Sequence, residues 1–83
     1  SLLLTITGDS KEQFNDGKTG VLAVVNELID HYTLQRLDLE QDRGQMRIAI
    51  NRGNDVETSV LVASLRERLP ECEFSYVNLQ STL

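Results

Sequence analysis

A polar stretch near the N-terminus holds the residues whose types and spacing come nearest to a recognised chemistry. Gly17-Lys18-Thr19 has the ending of a phosphate-binding loop, but that motif requires a glycine at position 12, where this chain has Glu12. A carboxylate at that position would repel a phosphate. We therefore do not expect nucleotide hydrolysis.

The same stretch, residues 9–19, is rich in the side-chain oxygens that hard cations such as calcium prefer. Its carboxylates, Asp9, Glu12 and Asp16, do not follow the spacing of an EF-hand loop, which needs a glycine at its sixth position and a glutamate at its end. We expect a solvated acidic loop and no metal site. Only Phe14 is large and apolar here, so the loop is either functional or a mobile surface insertion.

The chain has a single cysteine, Cys72, and a single histidine, His31. One cysteine cannot form an internal disulfide, so we expect a reducing compartment, the cytoplasm. One histidine argues against a zinc site, and a nucleophilic cysteine-histidine pair would need a third group and a cleft. We predict no catalytic residue and no cofactor. A small acylphosphatase-like hydrolase stays an alternative, although its phosphate cradle would want an arginine where this loop offers Lys11 and Lys18.

Length and charge narrow the class of protein further. The 83 residues, of which 40% are hydrophobic and 25% charged, suit one globular domain with a modest core. A net charge of −5 argues against nucleic acid and against an anionic membrane surface as partners. We find no membrane-spanning run and no signal peptide pattern. The pattern of a strand begins directly after Ser1, from which we expect residues 1–83 to be a domain excised from a longer protein.

Residues 34–50 predict a β-hairpin around which the rest of the chain is organised. Apolar and polar residues alternate on both sides of Asp42-Arg43-Gly44, which we assign to the turn, with Gly44 at positive φ. A hairpin alone is barely stable in water, so other elements must cover its apolar side. That side carries Leu37, Leu39, Met46, Ile48 and Ile50.

The remaining chain predicts a first strand over residues 2–7, a helix over 20–32 capped by Thr19 or Asp16, a helix over 55–69 and a last strand over 73–79. Val24 and Val60 lie off the main apolar stripes of the helices, and we expect them to be spare apolar surface. Val21, Leu22, Val25, Leu28, Ile29 and Tyr32 form the first stripe, and Leu61, Val62, Leu65 and Leu69 form the second.

The order strand, helix, strand, strand, helix, strand predicts an α+β fold. Right-handed crossovers place both helices on one face of a four-stranded antiparallel sheet, which is the ferredoxin-like arrangement with strand order 4-1-3-2. The other sheet face stays uncovered, and apolar residues beside charged ones there suggest a surface for a homodimer. We expect this interface to include Leu3, Thr5, Arg47, Val77 and Leu79.

The sequence Asp16-Gly17-Lys18-Thr19-Gly20-Val21-Leu22 resembles the start of an ACT domain, with Gly20-Val21-Leu22 opening the helix and the motif's proline absent. ACT domains are small-ligand sensors, often for amino acids, that act as dimers. The resemblance implies a ligand at the N-terminus of the first helix, where free N–H groups lie. The ligand would contact Asp16, Gly17, Thr19 and Gly20.

The whole pattern also resembles the soluble C-terminal domain of MgtC/SapB-type and related bacterial membrane proteins. That resemblance implies that transport or signalling chemistry lies in membrane helices elsewhere in a parent protein. We therefore expect a non-catalytic regulatory or assembly domain, with a second copy or the rest of the parent chain as partner. The alternative is a protein-interaction module without any ligand.

Overall fold

The computed structural model describes residues 2–15, 20–51 and 55–78. Within these ranges the chain is α+β, as predicted, with four strands and three helices. In chain order these elements are β1 (Leu2–Gly8), α1 (Glu12–Asn15), α2 (Val21–Leu28), β2 (Thr33–Glu40), β3 (Arg43–Ile50), α3 (Asp55–Arg68) and β4 (Glu73–Asn78).

The four strands form one open sheet in the order β2-β3-β1-β4, which reads β4-β1-β3-β2 from the other edge. Each neighbouring pair is antiparallel, which confirms the predicted antiparallel sheet. Strands β1 and β3 are central, while β2 and β4 are the two edges. Only the central strands therefore have neighbours on both sides within the described chain.

The core lies between the two central strands and the helices. Leu4 of β1 is opposite Ile48 of β3, and Ile6 is opposite Met46, so both strands turn one apolar face to the same side. These side chains are fully buried. The helices cover them with Val21, Val24, Val25, Leu61 and Leu65, and Ile29 and Leu69, just past the helix ends, belong to the same core. Val62 of α3 is buried as well.

Two details of the helices differ from the prediction. Helix α2 ends at Leu28 rather than at Tyr32, because Ile29 takes an extended conformation while its N–H still bonds to the Val25 carbonyl oxygen. Val24, which we expected to be spare surface, is only 2% exposed and belongs to the core. The N-cap residue is Gly20, which has no side chain to cap the helix. Thr19 and Asp16, the predicted caps, lie outside the described residues.

An ion pair joins the two long helices on their outer side. The Arg68 guanidinium donates a hydrogen bond of 2.6 Å to the Glu27 carboxylate, and this bond, together with the positive charge of Arg68, lowers the pKa of Glu27. Both side chains are exposed, so water and salt weaken the pair. The contact links the surfaces of α2 and α3, while the apolar core supplies most of the stability.

The acidic loop contains an element that the sequence did not predict. Ser10 Oγ accepts a hydrogen bond of 3.2 Å from the Glu12 N–H, which caps the short helix α1. The helix carries Phe14 into the core, where its side chain is 1% exposed. Phe14 therefore anchors this part of the loop to the core, which does not fit the mobile-insertion alternative for residues 9–15.

The role assigned to Gly44 is also wrong. The hairpin turn is Gln41-Asp42, and Gly44 lies inside β3 opposite Gly8 of β1, with no positive φ among the described glycines. A Cβ on Gly44 would overlap the Phe14 ring, and a Cβ on Gly8 would overlap the Gln13 side-chain amide. The paired glycines thus leave room for α1 to pack on that end of the sheet.

We predict that Gly44→Ala lowers the free energy of unfolding by about 1–3 kcal/mol, because the buried Phe14 ring must move. Gly8→Ala is the matched control and should cost less, since its Cβ would meet the rotatable Gln13 side chain and would come only to 3.2 Å from the Phe14 ring. Urea unfolding of both variants, alone and with Phe14→Leu, measures the coupling. Equal losses for the two glycines, with no dependence on Phe14, would contradict the packing role.

Candidate functional site

Edge strand β2 presents three leucines that we call the leucine strip: Leu34, Leu37 and Leu39. Leu34 is opposite Ile48 and Leu37 is opposite Met46, so the strip lies on the sheet face that carries the core. Yet the three side chains are 47%, 37% and 38% exposed. The prediction that the chain covers the apolar side of the hairpin is confirmed for β3 and wrong for β2.

The strip is exposed because the helix layer sits over the central strands. Within the described chain β2 packs chiefly against β3 and makes few contacts with the helices. The leucines therefore form the outer margin of the core, and one side of each reaches solvent. A run of exposed large apolar side chains on one strand is a candidate contact surface.

A β-bulge keeps the three leucines on one face. In a regular strand Leu34 and Leu37, three residues apart, would point to opposite faces. The register shifts between Leu34 and Arg36, so Gln35 is the extra residue and Leu34 returns to the side of Leu37. Alternation alone leaves Leu34 without an assigned face, and the break of the pattern at this residue is the signal that could have placed it.

The open face of the sheet carries the residues predicted as an interface. Leu3 is opposite both Ala49 and Val77, which gives one apolar row across three strands. Leu3 is half-buried and Val77 is 53% exposed. Leu79, which the prediction adds to this row, lies outside the described residues.

The next row of the open face is basic and hydroxylic. Thr5 is opposite both Arg47 and Ser75, and Arg47 is in turn opposite Arg36. The Arg36 guanidinium donates a hydrogen bond through Nε to Asp38, two residues further along the same face. Thr5 and Arg47 of the predicted interface are half-buried, and within the described chain the buried Nε of Arg47 has no hydrogen-bond partner.

An acidic hollow of about 520 Å³ lies at the end of the sheet near the hairpin turn. Its carboxylates come from strand ends and from the turns next to them, and Arg43 is the cation among its lining residues. In residues 2–15, 20–51 and 55–78 no group of histidine, cysteine or acidic side chains has the arrangement of a metal site. The carboxylates are those of Asp9, Glu40, Asp42, Glu71 and Glu73.

The ligand site implied by the ACT resemblance falls mostly outside the described chain. Asp16, Gly17 and Thr19 are not among the described residues. Gly20 is described, as the buried N-cap of α2. A small ligand at this helix N-terminus therefore stays a prediction.

Cys72 is a poor candidate for a nucleophile. It is half-buried between α3 and β4, and burial raises the pKa of its thiol, with the carboxylates of Asp9 and Glu71 raising it further. The thiolate is the reactive form, so it is scarce at neutral pH. His31 is exposed and follows α2.

Comparison of the chain with known protein families, with curated proteins and with solved structures finds no match. The ACT resemblance therefore rests on residues 16–22, and the MgtC/SapB resemblance rests on the order of helices and strands alone. Among the described helices, none has the length and apolar character needed to cross a membrane.

We predict that Cys72 reacts slowly with iodoacetamide at neutral pH and that its rate rises through a midpoint above that of a free thiol, about 8.5. Glu71→Gln should move this midpoint to lower pH, because it removes one of the charges that disfavour the thiolate. The rate is measured by mass spectrometry across pH in folded protein.

Asp42→Asn is the matched control for this experiment, since Asp42 lines the same acidic hollow but does not perturb the Cys72 thiol. It should leave the midpoint in place. Equal shifts in the two variants would show that the effect is one of net charge alone.

Proposed function

We propose that this domain is a non-catalytic assembly module that associates through the β2 edge of its sheet. The leucine strip is the observation that carries this proposal. It combines large apolar side chains with a strand edge whose outward N–H and C=O groups have no neighbouring strand in the described sheet. Such an edge is a template for another strand.

Strand β2 has only part of the usual protection of an exposed edge. Proteins blunt edges with charged side chains, lysine above all, and with proline, bulges or very short strands. In β2 the charges of Arg36, Asp38 and Glu40 lie on the open sheet face, opposite to the face of the leucines. The eight residues of β2 include neither lysine nor proline, and its bulge at Gln35 leaves residues 36–40 regular. A strand of this length with three leucines is better suited to pairing than to solvent.

The energy available from the strip is modest. Fully burying a leucine contributes roughly 1.5–3 kcal/mol, so covering the exposed two-fifths of one contributes roughly 1 kcal/mol. Six leucines from two strips contribute roughly 6 kcal/mol. Strand pairing adds to this free energy of association, and the loss of translational freedom reduces it. We therefore expect weak, concentration-dependent association, of the kind found in transient or avidity-assisted contacts.

We also assign the fold to the ferredoxin-like class. The repeated strand-helix-strand order, the antiparallel pairing and the central position of β1 and β3 support this assignment. An assembly role agrees with the resemblance to dimeric ACT domains. A sensory ligand and a link to a membrane protein are predictions from the resemblances, and a thermal-shift screen with amino acids tests the first.

The proposal predicts concentration-dependent association of the wild-type chain. Light scattering from about 1 µM to about 1 mM should show the mass rising from 9.4 kDa toward twice that value. Leu37→Lys should abolish the rise, because a charged group then lies in the contact. Circular dichroism checks that the variant is folded.

Two variants are controls for the surface. Val60→Lys places the same side chain at a 62% exposed valine on α3, away from the edge, and should associate like wild type. Val77→Lys probes the open face, where the sequence analysis placed the interface. The proposal is wrong if the wild type stays at 9.4 kDa throughout, and the open face is the contact if only Val77→Lys blocks the rise.

A further inference from the structure

We infer that the partner at the β2 edge is a second copy of this chain, paired antiparallel in one register with Leu37 of each copy at a two-fold axis. This inference rests on the proposed association and adds the identity and geometry of the partner. Its basis is the charge pattern of β2. Of the registers centred on the regular residues 36–39, only this one places no like charges opposite each other.

A two-fold axis perpendicular to the sheet limits the possible registers. It pairs residues that lie at equal distances on either side of the central residue, so each pair lies on one sheet face. The two helix layers then share a side, and the two sheets become one sheet of twice the width. The polar faces of both β2 strands also meet each other, which makes their charges decisive.

Charge excludes three of the four centres. A centre at Arg36 places two arginines opposite each other. A centre at Asp38 gives two favourable pairs of Arg36 with Glu40, but it places two aspartates opposite each other at the axis. A centre at Leu39 places Asp38 opposite Glu40 of the second copy. Like charges directly opposite each other destabilise a strand pair.

A centre at Leu37 gives two favourable pairs by symmetry. Arg36 of each copy lies opposite Asp38 of the other, on the same face where these two side chains already bond within one chain. On the opposite face the two Leu37 side chains meet at the axis. Leu34 and Leu39 of both copies flank them, which closes the leucine strip on itself.

Edge strand β4 is a weaker partner for β2. Its helix-side residues are Phe74, which is half-buried, and Tyr76, which is 41% exposed, and Glu73 stands on its other face. Pairing β2 of one copy with β4 of the next does not close, because it leaves a free edge at each end and propagates as a filament. Pairing β2 with β2 of a second copy buries both leucine-bearing edges, so assembly through this edge ends at a dimer.

Charge reversal tests the register. Arg36→Asp and Asp38→Arg, each alone, place like charges opposite each other twice and should weaken self-association on the order of tenfold. Mixed in equal amounts, the two variants should form a heterodimer of wild-type strength, because each pair is then opposite in sign. Light scattering of the separate variants and of the mixture measures this.

Symmetric cross-linking tests the centre directly, in a Cys72→Ser background. Leu37→Cys should form a disulfide-linked dimer on mild oxidation, because opposed residues of antiparallel strands have Cα atoms about 4.5–5.5 Å apart. Asp38→Cys and Leu39→Cys should not form a disulfide. In this register each new cysteine is displaced along the strand by two or more residues from the equivalent cysteine of the second copy, which is beyond the reach of a disulfide. Val60→Cys, on α3, is the collision control.

The outcomes separate the register from the proposed function. Suppose that the wild type associates and Leu37→Lys blocks this association, but the mixed charge variants associate no better than each alone. The proposed assembly function is then supported, and the inferred register is wrong. Cross-linking at Asp38→Cys in preference to Leu37→Cys overturns the register too. A wild type that is monomeric at every concentration overturns both, and growth beyond two chains favours β2–β4 pairing over the symmetric dimer.

Discussion

The helix layer of this domain covers the two central strands of a four-stranded sheet, and the other features of the surface depend on that limit. Two long helices can seal the apolar faces of β1 and β3, whose alternate residues are fully buried. The outer strand β2 carries the same alternation, yet its leucines remain more than a third exposed. The fold thus has more apolar sheet than helix to cover it, which is a common condition of surfaces that bind partners.

The short helix α1 covers part of the sheet that the two long helices leave open. It brings Phe14 over the end of the central strands, where Gly8 and Gly44 face each other and provide no side chains of their own. An aromatic ring over a glycine pair replaces the packing that two larger residues would supply. This filling reaches β3 but stops short of β2, where Leu39 beside Gly44 is still 38% exposed.

Periodicity predicted the strands and the two long helices because each has one apolar face, which repeats every two residues in a strand and every 3.6 in a helix. It could not predict α1, since one buried residue, Phe14, makes no period. It also misread Gly44, because a glycine that makes space for a ring looks the same in sequence as one that makes a turn. The predicted open face gathers Leu3, Thr5, Arg47 and Val77 as expected, since strand order and alternation decide which residues share a face.

The exposed leucines lay beyond sequence reasoning for a different physical reason. Alternation shows which side of a strand is apolar, but whether that side is covered depends on the strand's position in the sheet and on the reach of the helices. An uncovered apolar edge carries a standing risk of indiscriminate pairing, which charge can restrain. In β2 the opposite signs of Arg36 and Asp38 allow pairing in one register and penalise its neighbours. The same strand can thus supply both the drive to associate, through its leucines, and the selectivity, through its charges.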